Sequence, residues 1–255
     1  MPHPQLQPKW LRPDLPREGR YVLGPLLGKG GMGEVVEAWD VVLCRAVALK
    51  SMRDLDAPAM IRFMHEAQIQ ARVVHPNICR IYDIETGDRA LRIAMQLVKG
   101  PSLEQASRQL SINEAVAILA QVAEAVHAAH RVHLIHRDLK PSNILLERDG
   151  DGRWTPYICD FGLALSLDEP ALSLGHTVLG TPAYMAPEQL EGDRDRICPA
   201  TDVYALGGTL HFCLMGHPPG LLGAKGAGTQ RPGLPGDLNL ILDTALAPDP
   251  GRRYP

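Results

Sequence analysis

Eight consecutive residues, His136-Arg137-Asp138-Leu139-Lys140-Pro141-Ser142-Asn143, bring together an imidazole, a guanidinium, a carboxylate, an amine and an amide. A second carboxylate follows in Asp160-Phe161-Gly162. Moving a phosphoryl group calls for such a set. Asp138 can orient and deprotonate an attacking hydroxyl. Asn143 and Asp160 can supply oxygens to Mg²⁺, a hard cation that prefers them. Lys140 can offset negative charge on the group in flight. A polar loop with no chemistry to do explains one or two of these residues, but not the whole string.

Gly28-Lys29-Gly30-Gly31-Met32-Gly33 has the Gly-x-Gly-x-x-Gly spacing, which lets a backbone approach phosphates without side-chain obstruction. Taken alone it is equally a bare hairpin turn. A strand, Glu34-Val35-Val36-Glu37-Ala38, follows it where a dinucleotide fold places a helix. Lys29 and Met32 break the phosphate-loop pattern Gly-x-x-x-x-Gly-Lys-Ser/Thr. Lys50 closes a short apolar strand, Ala46-Val47-Ala48-Leu49, and Glu66 sits inside a helical stretch. A lysine buried there needs an anionic partner; two unrelated surface charges are the plainer alternative.

Those residues need elements to hold them. Arg20 to Ala38 reads as strand, glycine turn, strand. Val41 to Met52 holds the strand that carries Lys50. Residues 58–74 read as a helix that Pro58 starts and His75-Pro76-Asn77 stops, with Ile61, Met64 and Ile69 on one face. Strands near Ile78–Ile84 and Leu91–Val98 follow, turning at Gly87-Asp88. Beyond Gly100 the character becomes helical. Ser102-x-x-Gln105 and Ser111-x-x-Glu114 have the form of capping boxes. Val116, Leu119, Ala123 and Val126 mark an amphipathic helix from Ile112 to about His130.

A hairpin turning at Asp149-Gly150-Asp151-Gly152 separates the opening motif from Asp160. Leu163–Pro187 is polar and irregular, as a mobile loop is. Thr201–Met215 reads as a buried helix with Asp202 near its start, Gly216–Gly236 is rich in Gly and Pro, and a short helix, Asp237–Ala247, precedes Asp249-Pro250. Strands come first and helices second, which predicts an α+β protein of two unequal lobes joined near Gln96–Lys99.

At 255 residues, with 45% hydrophobic and 22% charged residues, the chain can bury a core of ordinary composition. A net charge of -3 is too weak to recruit nucleic acid or an anionic membrane. The five cysteines are odd in number and include no Cys-x-x-Cys, which fits a reduced, cytoplasmic setting better than a disulfide framework. Neither an apolar N-terminal h-region nor a run of about 18 apolar residues is present, so no secretory signal and no membrane-spanning segment is expected in this sequence. Residues 1–17, with five prolines, read as a disordered or extended leader.

Taken in order, the motifs resemble the protein kinase family, of the serine/threonine type and nearest to its bacterial members. The likeness runs from about Tyr21 to the end of the sequence. It comprises the glycine loop, Val47-Ala48-Leu49-Lys50, Glu66, the opening motif, Asp160-Phe161-Gly162, Gly180-Thr181-Pro182-Ala183-Tyr184-Met185-Ala186-Pro187-Glu188, Asp202 and Arg253. The resemblance implies a bilobal α+β fold: a small β-rich N-lobe (about 18–96) with one main helix, a larger and mostly helical C-lobe (about 99–255), and ATP in the cleft between them.

Carried over residue by residue, it implies that Gly28, Lys29, Gly30, Gly31, Met32, Gly33 and Glu34 cover the phosphates of ATP. Lys50 would hold the α- and β-phosphates and pair with Glu66, Asp138 would be the base, and Asn143 and Asp160 would bind Mg²⁺. Leu27, Val35, Ala48 and Leu145 would sandwich the adenine, with Met95 as gatekeeper and backbone groups of Gln96 and Val98 on the adenine edge. Lys140 and Thr181 point to serine or threonine as acceptor. Glu188 and Arg253 would form a buried ion pair, and Asp202 would brace the backbone of the opening motif. Arg137 would receive a phosphate placed on the loop at Thr177 or Ser173, with Ser166 the weaker site. A protein substrate and dimerisation for autophosphorylation go with the same family.

Three departures from the family stand out. Gln70 falls where members often place an apolar or small residue; Gly216–Gly236 is short where they have a substrate-docking helix; and the sequence stops two residues after Arg253, where they continue into one more helix. The alternatives are a pseudokinase serving as a nucleotide-binding or scaffolding module, and a small-molecule kinase. The presence of Lys50, Glu66, Asp138, Asn143 and Asp160 argues against the first, and Gly180 to Glu188, which seats a peptide in the family, against the second. His127, His130, His133 and His136 recur every third residue, but such steps drift about 60° each on a helix and do not converge on a metal. Asp149-Gly150-Asp151-Gly152 resembles part of a Ca²⁺ loop, lacks the remaining ligands, and is better read as a turn.

Overall fold

The computed structural model describes residues 7–12, 14–30, 33–53, 55–87, 90–161, 182–219 and 234–255. Gly31, Met32, Asp88, Gly162, Ser166, Ser173, Thr177, Gly180, Thr181 and most of Gly216–Gly236 lie outside the described residues, as does the side chain of Glu66. The chain divides into two compact units: Met1–Val74 with Cys79–Val98, and His75–Ile78 with Lys99–Pro255.

The first unit is built on an antiparallel sheet of six strands: β1 (Arg17–Glu18), β2 (Tyr21–Gly30), β3 (Gly33–Asp40), β4 (Arg45–Arg53), β5 (Ile81–Gly87) and β6 (Ala90–Met95). They lie in the order β1-β2-β3-β4-β6-β5. Register assigns the faces, because alternate residues of a strand point opposite ways. Val36 and Ala94 both stand opposite Leu49, and Ala38 opposite Val47. These residues share one face and form a buried cluster with Tyr21, flanked by Leu23 and Tyr82. Val35 and Ile93 both stand opposite Lys50, and Met95 opposite Ala48, so this second set occupies the other face. Gly33 closes the hairpin with φ +138, and a Cβ there would overlap the carbonyl oxygen of Ser51.

Helix α1 (Ala57–Gln70) starts where Asp56 caps the backbone N–H of Ala59 at 2.7 Å, with Pro58 in its first turn. Its buried face differs from the expected one. Phe63, Ala67 and Gln70 are buried, whereas Ile61 is 62% exposed. Packing against β5 and β6 selects the face, burying small Ala67 and leaving Ile61 toward solvent. Gln70 ends the helix with its Nε2 donating to the carbonyl of Cys79 at 3.5 Å and its Oε1 buried without a partner among the described residues.

The end of the segment expected as a leader is tied to this sheet. Arg17 and Glu18 pair with Val22 and Tyr21, the Leu23 N–H donates to Pro16, and Glu18 meets Arg53 and Arg92, each at 2.8 Å.

The second unit is mainly helical: α2 (Leu103–Ala106), α3 (Ile112–His130), α4 (Pro187–Leu190), α5 (Pro199–Met215) and α6 (Gly236–Ala245), with one hairpin of β7 (Ile144–Arg148) and β8 (Trp154–Ile158). Both capping boxes form, Ser102 with Gln105 and Ser111 with Glu114. The stripe read along α3, Val116, Leu119, Ala123 and Val126, lines an apolar groove of about 370 Å³ shared with α5 and α6, with Leu119 and Val126 its buried members. The packed side of α3 is Ala115, Ile118, Val122, Ala125 and Ala129. An alanine-rich helix that is apolar nearly all round offers periodicity little to choose between.

The β7–β8 turn is closed by Asp149, whose Oδ1 accepts from the N–H groups of Asp151 (3.0 Å) and Arg153 (2.8 Å). Asn77 anchors its own segment by donating to the Pro156 carbonyl at 2.8 Å. Among the described residues, no helix is long and apolar enough to cross a membrane. Among the described residues no disulfide joins the cysteines.

Candidate active site

The geometry of the opening motif starts from one carboxylate on another element. Asp202 lies in the first turn of α5 and is 1% exposed. Its Oδ2 accepts the backbone N–H of His136 at 2.8 Å, and its Oδ1 that of Arg137 at 2.9 Å. This is the brace expected from the resemblance. His130, at the end of α3, adds a contact of 2.7 Å from Nε2 to the same carboxylate. The two N–H bonds hold Arg137 at φ +66, a left-handed conformation that costs a non-glycine residue about 1–2 kcal/mol. Gln189 of α4 fastens the other side of that residue, its Nε2 donating to the Arg137 carbonyl at 2.7 Å.

His136 is fixed in one tautomer. The Asp138 N–H can only donate, so Nδ1 accepts it at 3.3 Å, and Nε2 carries the proton that meets the Cys159 carbonyl at 3.2 Å. Its ring centroid lies 4.6 Å from that of Phe161, which is 1% exposed. Nε2 of His130 and both ring nitrogens of His136 are therefore engaged by protein groups. Asp160, between Cys159 and Phe161, also has left-handed backbone at φ +58. Such conformations persist where the surroundings over-determine them, as they do here.

On this frame sit the reactive groups. Lys140 Nζ lies 2.8 and 3.0 Å from the two oxygens of Asp138. Asn143, in the single 3₁₀ turn Pro141–Asn143, donates Nδ2 to the Asp138 carbonyl at 2.8 Å and to its Oδ2 at 3.1 Å. With the nitrogen of the amide turned to Asp138, its oxygen faces the opposite way. The Cys159 N–H donates to the Asn143 carbonyl at 2.9 Å, which sets Asp160 one residue from the Asn143 backbone. An amide oxygen and a carboxylate are the kind of hard donors that Mg²⁺ takes.

The expected ion pair is formed within the same unit. Arg253 donates NH1 and NH2 to Glu188 at 2.7 and 2.8 Å, and neither side chain is exposed at all. The guanidinium also donates to the carbonyls of Ala247, Ala200 and Pro248, and Thr201 donates its hydroxyl to Glu188 at 2.9 Å. Burial by itself pushes the Glu188 carboxyl up, but the Arg253 fork and the Thr201 hydroxyl outweigh it and hold the group below its ordinary value.

In the first unit, Lys50, Ala48 and Met95 are each 7% exposed and share a sheet face with Val35. Gly28 stands opposite Val35, Lys29 opposite Glu34, and Gly30 opposite Gly33. Leu27 is half exposed on β2, and Val98 is buried. The Gln96 N–H donates to the Arg80 carbonyl at 2.8 Å. Glu66 lies on α1. Leu145, in the second unit, is on β7 opposite Tyr157. The structure thus brings Asp138, Lys140, Asn143 and Asp160 together within one unit, and Val35, Ala48, Lys50 and Met95 together within the other. His130, Gln189 and Thr201 carry no sequence signal of their roles, because each finds its partner only through the fold.

An antiparallel sheet with one main helix in one unit, and a helical unit whose Asp-Lys-Asn loop is braced by a buried helix aspartate in the other, make the protein kinase fold. The chain belongs to the protein kinase domain family, whose model matches residues 21–227. It is 36% identical to the serine/threonine-protein kinase PknH of Mycobacterium tuberculosis, over 92% of this chain and 40% of that protein. It is 35% identical to PkaA of Streptomyces coelicolor, over 80% of this chain and 40% of that protein. The chain spans about two-fifths of the length of these curated relatives. The crystal structure of a mutant form of the Mycobacterium tuberculosis PknI kinase domain superposes with a TM-score of 0.74 at 30% identity, covering 92% of this chain and 90% of that one.

Proposed function

We propose that the chain is the catalytic domain of a cytoplasmic protein serine/threonine kinase, transferring the γ-phosphoryl of ATP to serine or threonine hydroxyls of a protein. The observation that carries this is the Asp138 carboxylate, held by Lys140 and Asn143 in a loop whose backbone is tied to Asp202. Asp138 orients the acceptor hydroxyl and takes its proton as the new oxygen–phosphorus bond forms and the bond to the β-phosphate oxygen breaks. Lys140, already beside that carboxylate, offsets charge on the phosphoryl in transit. Asn143 and Asp160 hold Mg²⁺, which when bound neutralises charge on the phosphate oxygens. Lys50 and the glycine hairpin hold the phosphates, and Val35, Ala48 and Met95 offer apolar surface to the base.

The serine/threonine preference is supported by Lys140 in the loop and by the names of the relatives. Control by phosphorylation at Thr177 or Ser173, with Arg137 as receiver of the phosphate, belongs to the same reading, as does pairing of two copies for autophosphorylation.

The test is incubation with labelled ATP, Mg²⁺ and a basic protein substrate, beside Asp138→Asn. Label is expected in the wild-type lane and lost in the variant. A folded wild type that labels nothing sinks the transferase reading, and nucleotide binding without transfer selects the scaffolding alternative. Activity unchanged in a Thr177→Ala, Ser173→Ala double variant removes the loop control.

A further inference from the structure

Trp10 belongs to the segment that precedes the matched kinase region, and it packs on the strand leading into the glycine hairpin. A Cβ added at Gly24 would lie 2.7 Å from two carbons of the Trp10 ring and 2.8 Å from the Glu37 carbonyl oxygen. Gly24 is therefore the seat of the indole, and no larger residue leaves room for it. Trp10 Nε1 is buried without an acceptor among the described residues, so fit rather than a hydrogen bond holds the ring.

The seat coincides with an irregularity of β2. The β2–β3 ladder shifts register between Leu23 and Leu26 and again between Leu26 and Gly28, the interval that contains Gly24 and Pro25. Within the same interval the Leu23 N–H bonds the Pro16 carbonyl at 2.8 Å. A register shift decides which face each later residue presents and bends the strand. Immediately beyond the second shift come Gly28, Lys29 and Gly30, the rising half of the phosphate hairpin.

We propose that residues 7–12 and 14–18 form a strap across β2, and that Trp10, seated on Gly24, is a positioning residue that sets the pitch of the glycine hairpin for ATP. The proposal rests on the reading of that hairpin as the ATP loop. Trp10 touches no reacting group; it acts through the bulged strand. Loss of the ring frees the strand to relax its register shifts, which moves the backbone that meets the phosphates. The cost falls on nucleotide affinity rather than on the chemical step, whose groups lie in the other unit.

The experiment compares wild type, Trp10→Ala, Trp10→Phe and Gly24→Ala in the full chain, reading kcat and KM for ATP together with the Kd of a fluorescent ATP analogue. Trp10→Ala is expected to raise KM and Kd about five- to tenfold while kcat at saturating ATP stays within about twofold. Trp10→Phe, which keeps a ring on the seat, is expected to recover most of the affinity. Gly24→Ala, whose Cβ also meets the Glu37 carbonyl oxygen at 2.8 Å, is expected to lower affinity at least as much as Trp10→Ala. A folded Trp10→Ala protein with unchanged KM and Kd overturns the proposal and leaves the ring as plain packing. So does a fall in kcat at unchanged KM. A wild type that binds no Mg-ATP overturns the functional reading and the strap together, whereas equal binding by wild type and Trp10→Ala overturns the strap alone.

Discussion

Two buried polar sites, one in each unit, are treated in opposite ways. In the second unit, Glu188 takes two bonds from Arg253 and one from Thr201, and Arg253 reaches three further carbonyls. Asp202 likewise meets two backbone N–H groups and the His130 ring. In the first unit, Gln70 closes the helix that carries Glu66 with one long bond and a buried oxygen that has no partner among the described residues. A filled network fixes one geometry, whereas a half-filled site leaves a helix end cheap to displace. The catalytic loop is thus organised before any substrate arrives, and the helix position is the adjustable part.

The predictions run from the filled side to the unfilled one. Asp138→Asn is expected to lower kcat by about 10²–10⁴ with no loss of thermal stability, since it removes the base and keeps the shape. A comparable residual rate, measured by label transfer, would assign the base elsewhere. Glu188→Ala leaves the buried Arg253 guanidinium uncompensated and is expected to cost about 3–5 kcal/mol in urea unfolding. The same pair sets an acid limit. The Glu188 carboxyl lies below its ordinary value of 4.5 in the folded state, so its stabilisation is fully present above that pH and is lost as pH falls through the lowered folded value. Urea midpoints measured downward from there should show a fall that Glu188→Gln removes.

Asp202→Asn replaces one accepting oxygen by a donor facing a backbone N–H. It is expected to cost about 1–3 kcal/mol and to reduce kcat, because Arg137 loses part of what holds it left-handed. On the unfilled side the sign reverses. Gln70→Leu removes an unpaired buried oxygen and a weak bond, and is expected to raise stability by about 1 kcal/mol. A lower melting temperature in Gln70→Leu would mean that the amide is better satisfied than its geometry indicates.

Legibility followed the range of the interactions. Helix α3 runs from Ile112 to His130 as its capping box and period require, and Asp149 closes its turn as expected of a hairpin. These are contacts between residues a few positions apart. The buried stripe of α1 departs from its local pattern because Ile61 is apolar yet exposed, whereas Ala67 and Gln70 are packed by strands that the pattern does not contain. Val116 and Ala123 on α3 went the same way, toward a groove rather than into the packed side.

By itself the sequence determined the order of the motifs, the family, the helix caps and the residue types available for phosphoryl transfer, because those are local and need no partner from afar. The tertiary structure alone decided that His130 joins Asp202, that Gln189 holds the Arg137 carbonyl, that Thr201 completes Glu188, and that Trp10 rests on Gly24. Each of those contacts joins residues distant along the chain. Their energy depends on angle and depth of burial, quantities that exist only once the elements have packed.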